Sequence, residues 1–254
     1  MHSLASVRLA TLALLCGLAV HAQTADKVEF DAASVKPFDL SQPRPTYQFG
    51  PSRFTNYATL DRFILQAYDL EEYQVAGGPD WAKSEFYLIE ATAGKQSTRP
   101  EIRRMLQSLL AERFQLKLHR ETRTMSGYVL TVDKKGPKLP PPKTDVPPEN
   151  PGVIQIGGGE VWVRGGTMKR LATGLHLELA VPVVDETGIE GRYDVLLRFD
   201  ERNQELEDPA QKGKDAPGIG SVFTALHEFG LRLEPRKLPI EVLVIDSAER
   251  PAEN

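Results

Sequence analysis

The chain has 254 residues, 41% of them hydrophobic and 26% charged, with a formal net charge of −4. This composition excludes disordered, collagen-like and coiled-coil chains, and the acidic balance excludes nucleic-acid binding by general electrostatics, which needs a basic face. The single cysteine, Cys16, excludes an internal disulfide.

Residues 1–22 read as an address. Arg8 precedes an apolar run over residues 9–20, and Val20-His21-Ala22 supplies a cleavage site, the layout of a signal peptide. The run is shorter than the roughly 20 residues of a bilayer span, and Leu15 before Cys16 does not fit a lipid-anchor signal. The expectation is export to the periplasm or the extracellular space, with no stable membrane span after cleavage. Loss of Cys16 then removes thiol catalysis and thiolate metal sites.

Downstream, residues 53–58 read as extended and Thr59 as the cap of a helix whose stripe is Leu60, Phe63, Ile64, Ala67 and Tyr68. Residues 85–91 read as a strand. Thr98 and Glu101 have capping-box spacing and open a helix with Ile102, Leu106, Leu109 and Leu110 inward. Two strands are predicted next, one around Leu116 and Leu118, the other over residues 128–132. Seven prolines between Pro137 and Pro151 then interrupt regular structure. Residues 160–164 read as extended, and a hairpin around Glu160 to Arg164 is a better reading of Gly157-Gly158-Gly159 and Gly165-Gly166 than phosphate loops. Thr167 precedes a helix carrying Met168, Leu171 and Leu175, which Thr173-Gly174 interrupts. Residues 192–199 read as a strand. Residues 200–220 read as a flexible, solvated loop. Ser221 caps a short helix that Gly230 stops. Leu231 and Leu233 begin a strand, and residues 240–245, apolar on both faces, read as a central one.

LLAERFQLKLHRE from Leu109 and ALHEFGLRLEPRK from Ala225 share a pattern: helix end, Phe, one residue, Leu-basic-Leu. The fold class is therefore α+β, with two similar halves, each of mixed strands and two helices, joined by a proline-rich segment. The boundaries are 1–22 signal peptide, 23–136 first half, 137–151 linker and 152–254 second half.

Several strings carry a resemblance: FDAASVKP from Phe30, RFTNYATL from Arg53, VAGGPDW from Val75, VVDETGIEGRYD from Val183, SVFTALHEFGLRLEP from Ser221, and IEVLVID from Ile240 with Glu249, Arg250 and Pro251 after it. Together they resemble a family of exported, soil-associated proteins expanded in Acidobacteria, catalogued as a domain of unknown function. Similar domains occur behind membrane metallopeptidase modules of the antibiotic-sensor type. By analogy the resemblance implies a sensory or ligand-binding module outside the membrane. It implies no reaction and no catalytic residue.

Individual motifs fall short of catalysis. His227-Glu228 begins a zinc-protease helix motif, but Leu231 stands where the second histidine is required. His119 alternates outward in its strand. Asp185, Glu186, Glu190 and Asp194 are close enough in sequence to hold a hard cation or share a proton, and equally read as a turn. Trp81 after Asp80 presents an aromatic that either stacks on a ligand or anchors the core. No cofactor, metal site or catalytic residue is expected. The predicted function is a non-enzymatic binding or interaction module of the cell envelope, for a protein, glycan or peptide. Its ligand-binding candidates are Asp80, Trp81, Asp185, Glu186 and Asp194. The alternative is an extracytoplasmic hydrolase using paired carboxylates.

Overall fold

A computed structural model describes residues 28–145, 152–199 and 221–252; the predicted signal peptide, 1–22, and the predicted loop, 200–220, lie outside the described residues. The chain runs β1 (Ala32–Pro37), β2 (Gln48–Phe49), β3 (Arg53–Thr59), α1 (Leu60–Tyr68), a 3-10 turn (Glu72–Gln74), β4 (Val75–Gly77), α2 (Trp81–Ser84), β5 (Phe86–Thr92), α3 (Arg99–Arg113) and β6 (Lys117–Val132). It continues with β7 (Val153–Gly157), β8 (Glu160–Gly166), α4 (Met168–Leu179), β9 (Val183–Asp185), β10 (Tyr193–Arg198), α5 (Val222–Glu228) and β11 (Leu231–Ser247). Among the described residues the fold is α+β, with five helices and three sheets.

Three of the helix caps form as their residue types dictate, while Thr59 stands extended before α1 and turns its hydroxyl to Asp61 without a cap bond. Thr98 accepts from the Glu101 amide while Glu101 reaches back to the Thr98 amide, closing the box that starts α3. Thr167 and Ser221 accept from the amides of Arg170 and Thr224 at the starts of α4 and α5. Helix α4 runs unbroken through Thr173-Gly174, contrary to the expected interruption. Gly174 is tolerated there because the helix crosses β8 closely; a Cβ on it would stand 3.0 Å from Val161 Cγ1. The gain in helix–sheet packing offsets glycine's lower helix propensity of about 1 kcal/mol.

Strand order and pairing recur between the halves. In the first, β1, β5, β3 and β2 form an antiparallel sheet; in the second, β10, β8 and β7 do. The third sheet joins both halves in the order β4-β11-β6-β9. Here the structure differs from the sequence reading. The two strands predicted on either side of residue 123 are one 16-residue strand, β6, and the two predicted after Gly230 are one 17-residue strand, β11. The cause is long-range. The polar stretch between Arg120 and Ser126 carries no turn signal, and residues 236–243 of β11 pair with its residues 120–127 antiparallel. Pro235 and Pro239 are accommodated because they lie where β11 has only β6 as neighbour; β4 joins it at Leu243 to Ile245.

At about 3.3 Å per residue this ribbon spans roughly 50 Å, and it completes a core at each end. Leu243 and Ile245 of β11 belong to the first half's core, with Leu60, Phe63, Ile89, Leu106 and Phe114. Leu130 of β6 belongs to the second half's core, with Val161, Leu171, Val195 and Leu226. Opposite-parity residues Leu238, Ile240 and Val242 make a third cluster with Val129 on the ribbon's other face.

The described start of the proline-rich segment lies along the second half. Lys138 donates its amide to the Phe229 carbonyl (2.8 Å), and the Pro140 carbonyl accepts from Asp194 N (3.2 Å). Proline loses a donor but keeps its acceptor. Where this segment leaves β6 it passes Gly230 (φ 68°), whose added Cβ would stand 1.9 Å from the Gly136 carbonyl oxygen. Gly230→Ala is therefore expected to cost about 2–4 kcal/mol, from left-handed strain plus a backbone clash. Urea unfolding checks it; a loss below about 1 kcal/mol contradicts this packing.

Candidate functional site

The residues singled out in the sequence do not gather at one place. Trp81 is half-buried in the first half's core, stacked with Phe114 (centroids 6.3 Å) and edge-on to Tyr87 (6.2 Å). Arg250 lies over its ring (5.3 Å) and grips Glu85 with Nε and Nη2 at 2.6–3.2 Å. That bond to Arg250 holds the Glu85 carboxyl below its usual range. The VAGGPDW string and the residues after IEVLVID thus meet: Gly78 N donates to Ile245 O (3.1 Å), and Glu249 N to Phe114 O (2.7 Å). Asp80 is exposed at the start of α2.

The acidic turn is engaged internally. Asp185 Oδ1 accepts from the amide (2.9 Å) and hydroxyl (2.7 Å) of Thr187. Glu186 pairs with Arg236 (2.8 Å). Asp194 accepts from Gly165 N (2.7 Å) and Lys143 N (2.9 Å), fastening the proline-rich segment to β8. Among the described residues no group of three or more His, Cys, Asp or Glu is placed to hold a metal ion. His227 Nδ1 donates to Asp133 (2.9 Å), which this bond holds below its usual range, and His119 Nδ1 lies 2.7 Å from Asp246. Every carboxyl with a clear displacement, Asp39, Glu85, Glu101 and Asp133, is displaced downward, each chiefly by a hydrogen bond.

The concave feature that stands out is a cleft of about 690 Å³ between the halves. The first half contributes the end of α1 and the start of α3; the second contributes the start of α4. Phe49, Pro51 and Pro100 give it an apolar wall. Its charge is uneven, with four cations (Arg99, Arg103, Lys169 and Arg170) against two carboxylates (Asp69 and Glu71).

The two carboxylates are already occupied. Asp69, in left-handed conformation at the end of α1, pairs with Arg103 (2.5 Å) and Lys169 (3.4 Å). Glu71 accepts from the Thr173 hydroxyl (2.5 Å) and caps the 3-10 turn. Of these, the bonds to Lys169 and Thr173 cross between the halves. So does the edge-on contact of Tyr73 with the buried His176 (4.6 Å), whose Nδ1 donates to Val181 O (3.0 Å). Burial, with nearby Glu71, pushes the Tyr73 hydroxyl up to about 12, so it stays a neutral phenol in this contact.

Two of the cations have no carboxylate of their own among the described residues. Arg99 lies over Phe49 at 4.5 Å. Arg170 has a buried Nε without a hydrogen-bond partner, and burial lowers its guanidinium below the usual value against the pull of Glu71. The sequence held a signal for both. Anionic side chains favour the first turn of a helix, whose amide end is positive. Here α4 opens on Met168-Lys169-Arg170 with no acid in its first turn, whereas α3 opens on Arg99 with Glu101 beside it.

An α+β protein with a basic, partly apolar cleft among α1, α3 and α4 is the class that fold and site define. The model of the family described as "Protein of unknown function (DUF3738)" matches residues 61–248, and the chain belongs to that family. No curated protein and no solved structure matches it. Among the described residues no helix is long and apolar enough to cross a membrane.

Proposed function

We propose that the protein is a binding module rather than a catalyst, exported to the cell envelope or beyond, and that its ligand occupies the cleft between the halves. The observation that carries this reading is the cleft itself: about 690 Å³, within the range of small-molecule sites, with an apolar wall and a few convergent polar groups. The leader-like residues 1–22 support export. A glycan end, a peptide end or a free small molecule fits such a cleft.

The test is a mixed fragment library, charged and neutral, titrated into isotopically labelled protein. Amide shifts are expected to cluster at Gly50, Thr98, Lys169 and Thr173, and not around Asp185 or Asp80. Shifts scattered over the surface, or centred on the acidic turn, contradict the reading.

A further inference from the structure

Four cations line the cleft against two carboxylates, and among the described residues the ion pairs there engage only Arg103 and Lys169. Arg99 and Arg170 stand at the positive ends of α3 and α4, and Arg170 is partly desolvated with its Nε unpaired. Arg103 Nε is likewise buried without a partner, though its other end holds Asp69. Both carboxylates on the cleft wall are spent on Arg103, Lys169 and Thr173. Such an arrangement costs folding free energy through like-charge repulsion, unfavourable helix-end electrostatics and desolvation. Unfavourable arrangements of this kind persist where a ligand offsets them. The planar guanidinium fork matches carboxylate and phosphate oxygens two at a time. Beside it, Phe49 and Pro51 offer apolar surface for a ring or acyl body.

We infer that the cleft binds an organic oxyanion, a carboxylate or phosphate group carried on an apolar body, with Arg170 and Arg99 holding the anionic group. This rests on the reading that the cleft is the ligand site, and it deepens that reading by naming the ligand's chemistry. Lys169 and Arg103 stay paired with Asp69 and set the walls. Arg170 comes from the second half and Arg99 from the first, so neither half holds the complete site.

The experiment measures binding of phenyl phosphate, benzoate, inorganic phosphate and neutral benzyl alcohol by amide shifts, in wild type, Arg170→Gln and Arg99→Gln. Phenyl phosphate or benzoate is expected to bind at the cleft more tightly than benzyl alcohol, and to weaken as salt rises. Each substitution is expected to weaken binding by about tenfold or more, the loss of one charge-assisted hydrogen bond. Arg170→Gln should also leave the ligand-free Tm unchanged or raised, an outcome that a purely structural arginine would not give. Should Arg170→Gln not fold, Arg99→Gln and the salt dependence of the wild type decide. Which of phenyl phosphate and benzoate binds more tightly identifies the anionic group, and tight binding of inorganic phosphate alone overturns the apolar body. Equal binding of benzyl alcohol and the anions, or salt-independent binding, overturns the oxyanion and leaves the cleft as the ligand site. No probe at the cleft overturns both.

Discussion

Residues 23–136 expressed alone are expected to lack a cooperative unfolding transition. In the intact protein all of β6 pairs with β11, and the first half's core is completed by Leu243 (4% exposed) and Ile245 (3% exposed). Each such side chain contributes about 1.5–3 kcal/mol on burial. Removing both, together with the 16-residue partnership of β6 and the strand that pairs with β4 among the described residues, takes away an amount comparable to the 5–15 kcal/mol that typically separates folded from unfolded states. The fragment would also carry a long unpaired edge, a template for aggregation. Mixing it with residues 152–254 should restore native-like circular dichroism and a single urea transition. A dispersed NMR spectrum and a sharp transition for the isolated first half would show that it folds independently, and would contradict the shared-ribbon account.

Phe114→Ala is expected to cost about 3–5 kcal/mol, the usual range for emptying a large aromatic site. The ring is fully buried at the end of α3, edge-on to Tyr87 (5.2 Å) and stacked with Trp81, and the residue's carbonyl receives the Glu249 amide. Truncation leaves a cavity at the point where helix α3, strand β5, helix α2 and the end of the chain meet. For a domain of this size that is a fall in Tm of roughly 6–20 °C. Leu177→Ala, on an exposed position of α4, serves as the control and should change stability by less than about 0.5 kcal/mol. A loss at Phe114 no larger than that of the control would mean that the aromatic cluster does not anchor the chain end.

Much of the local structure was legible because its causes are local. Thr98 with Glu101, the stripe from Leu60 to Tyr68, Ser221 with its short helix and Gly230 as its stop each act within a few residues, and each stands where its chemistry put it. The α+β class followed from them. What escaped was non-local. The joining of strands across residues 120–127 depends on a partner more than a hundred residues away, and no local signal marks it. The cleft escaped for the same reason: Asp69, Arg99 and Arg170 are far apart in the chain and meet only through packing of α1, α3 and α4. Read one helix at a time, Arg99 and Arg170 are ordinary solvated positions. Their placement in the first turns of two helices was the one visible oddity. Trp81, Asp185, Glu186 and Asp194 drew attention by residue type, yet Trp81 packs on Phe114, Asp185 bonds to nearby Thr187, Glu186 pairs with Arg236 of β11, and Asp194 braces the proline-rich segment.

The location of the site is tested most directly by filling it. Thr173 lines the cleft from α4, so a tryptophan in its place adds indole bulk at the cleft wall. Calorimetric titration of phenyl phosphate into Thr173→Trp, beside the unaltered protein at matched stability, is expected to show binding abolished in the variant and retained in the parent. Equal affinity in the two would place the ligand elsewhere on the molecule and contradict the account.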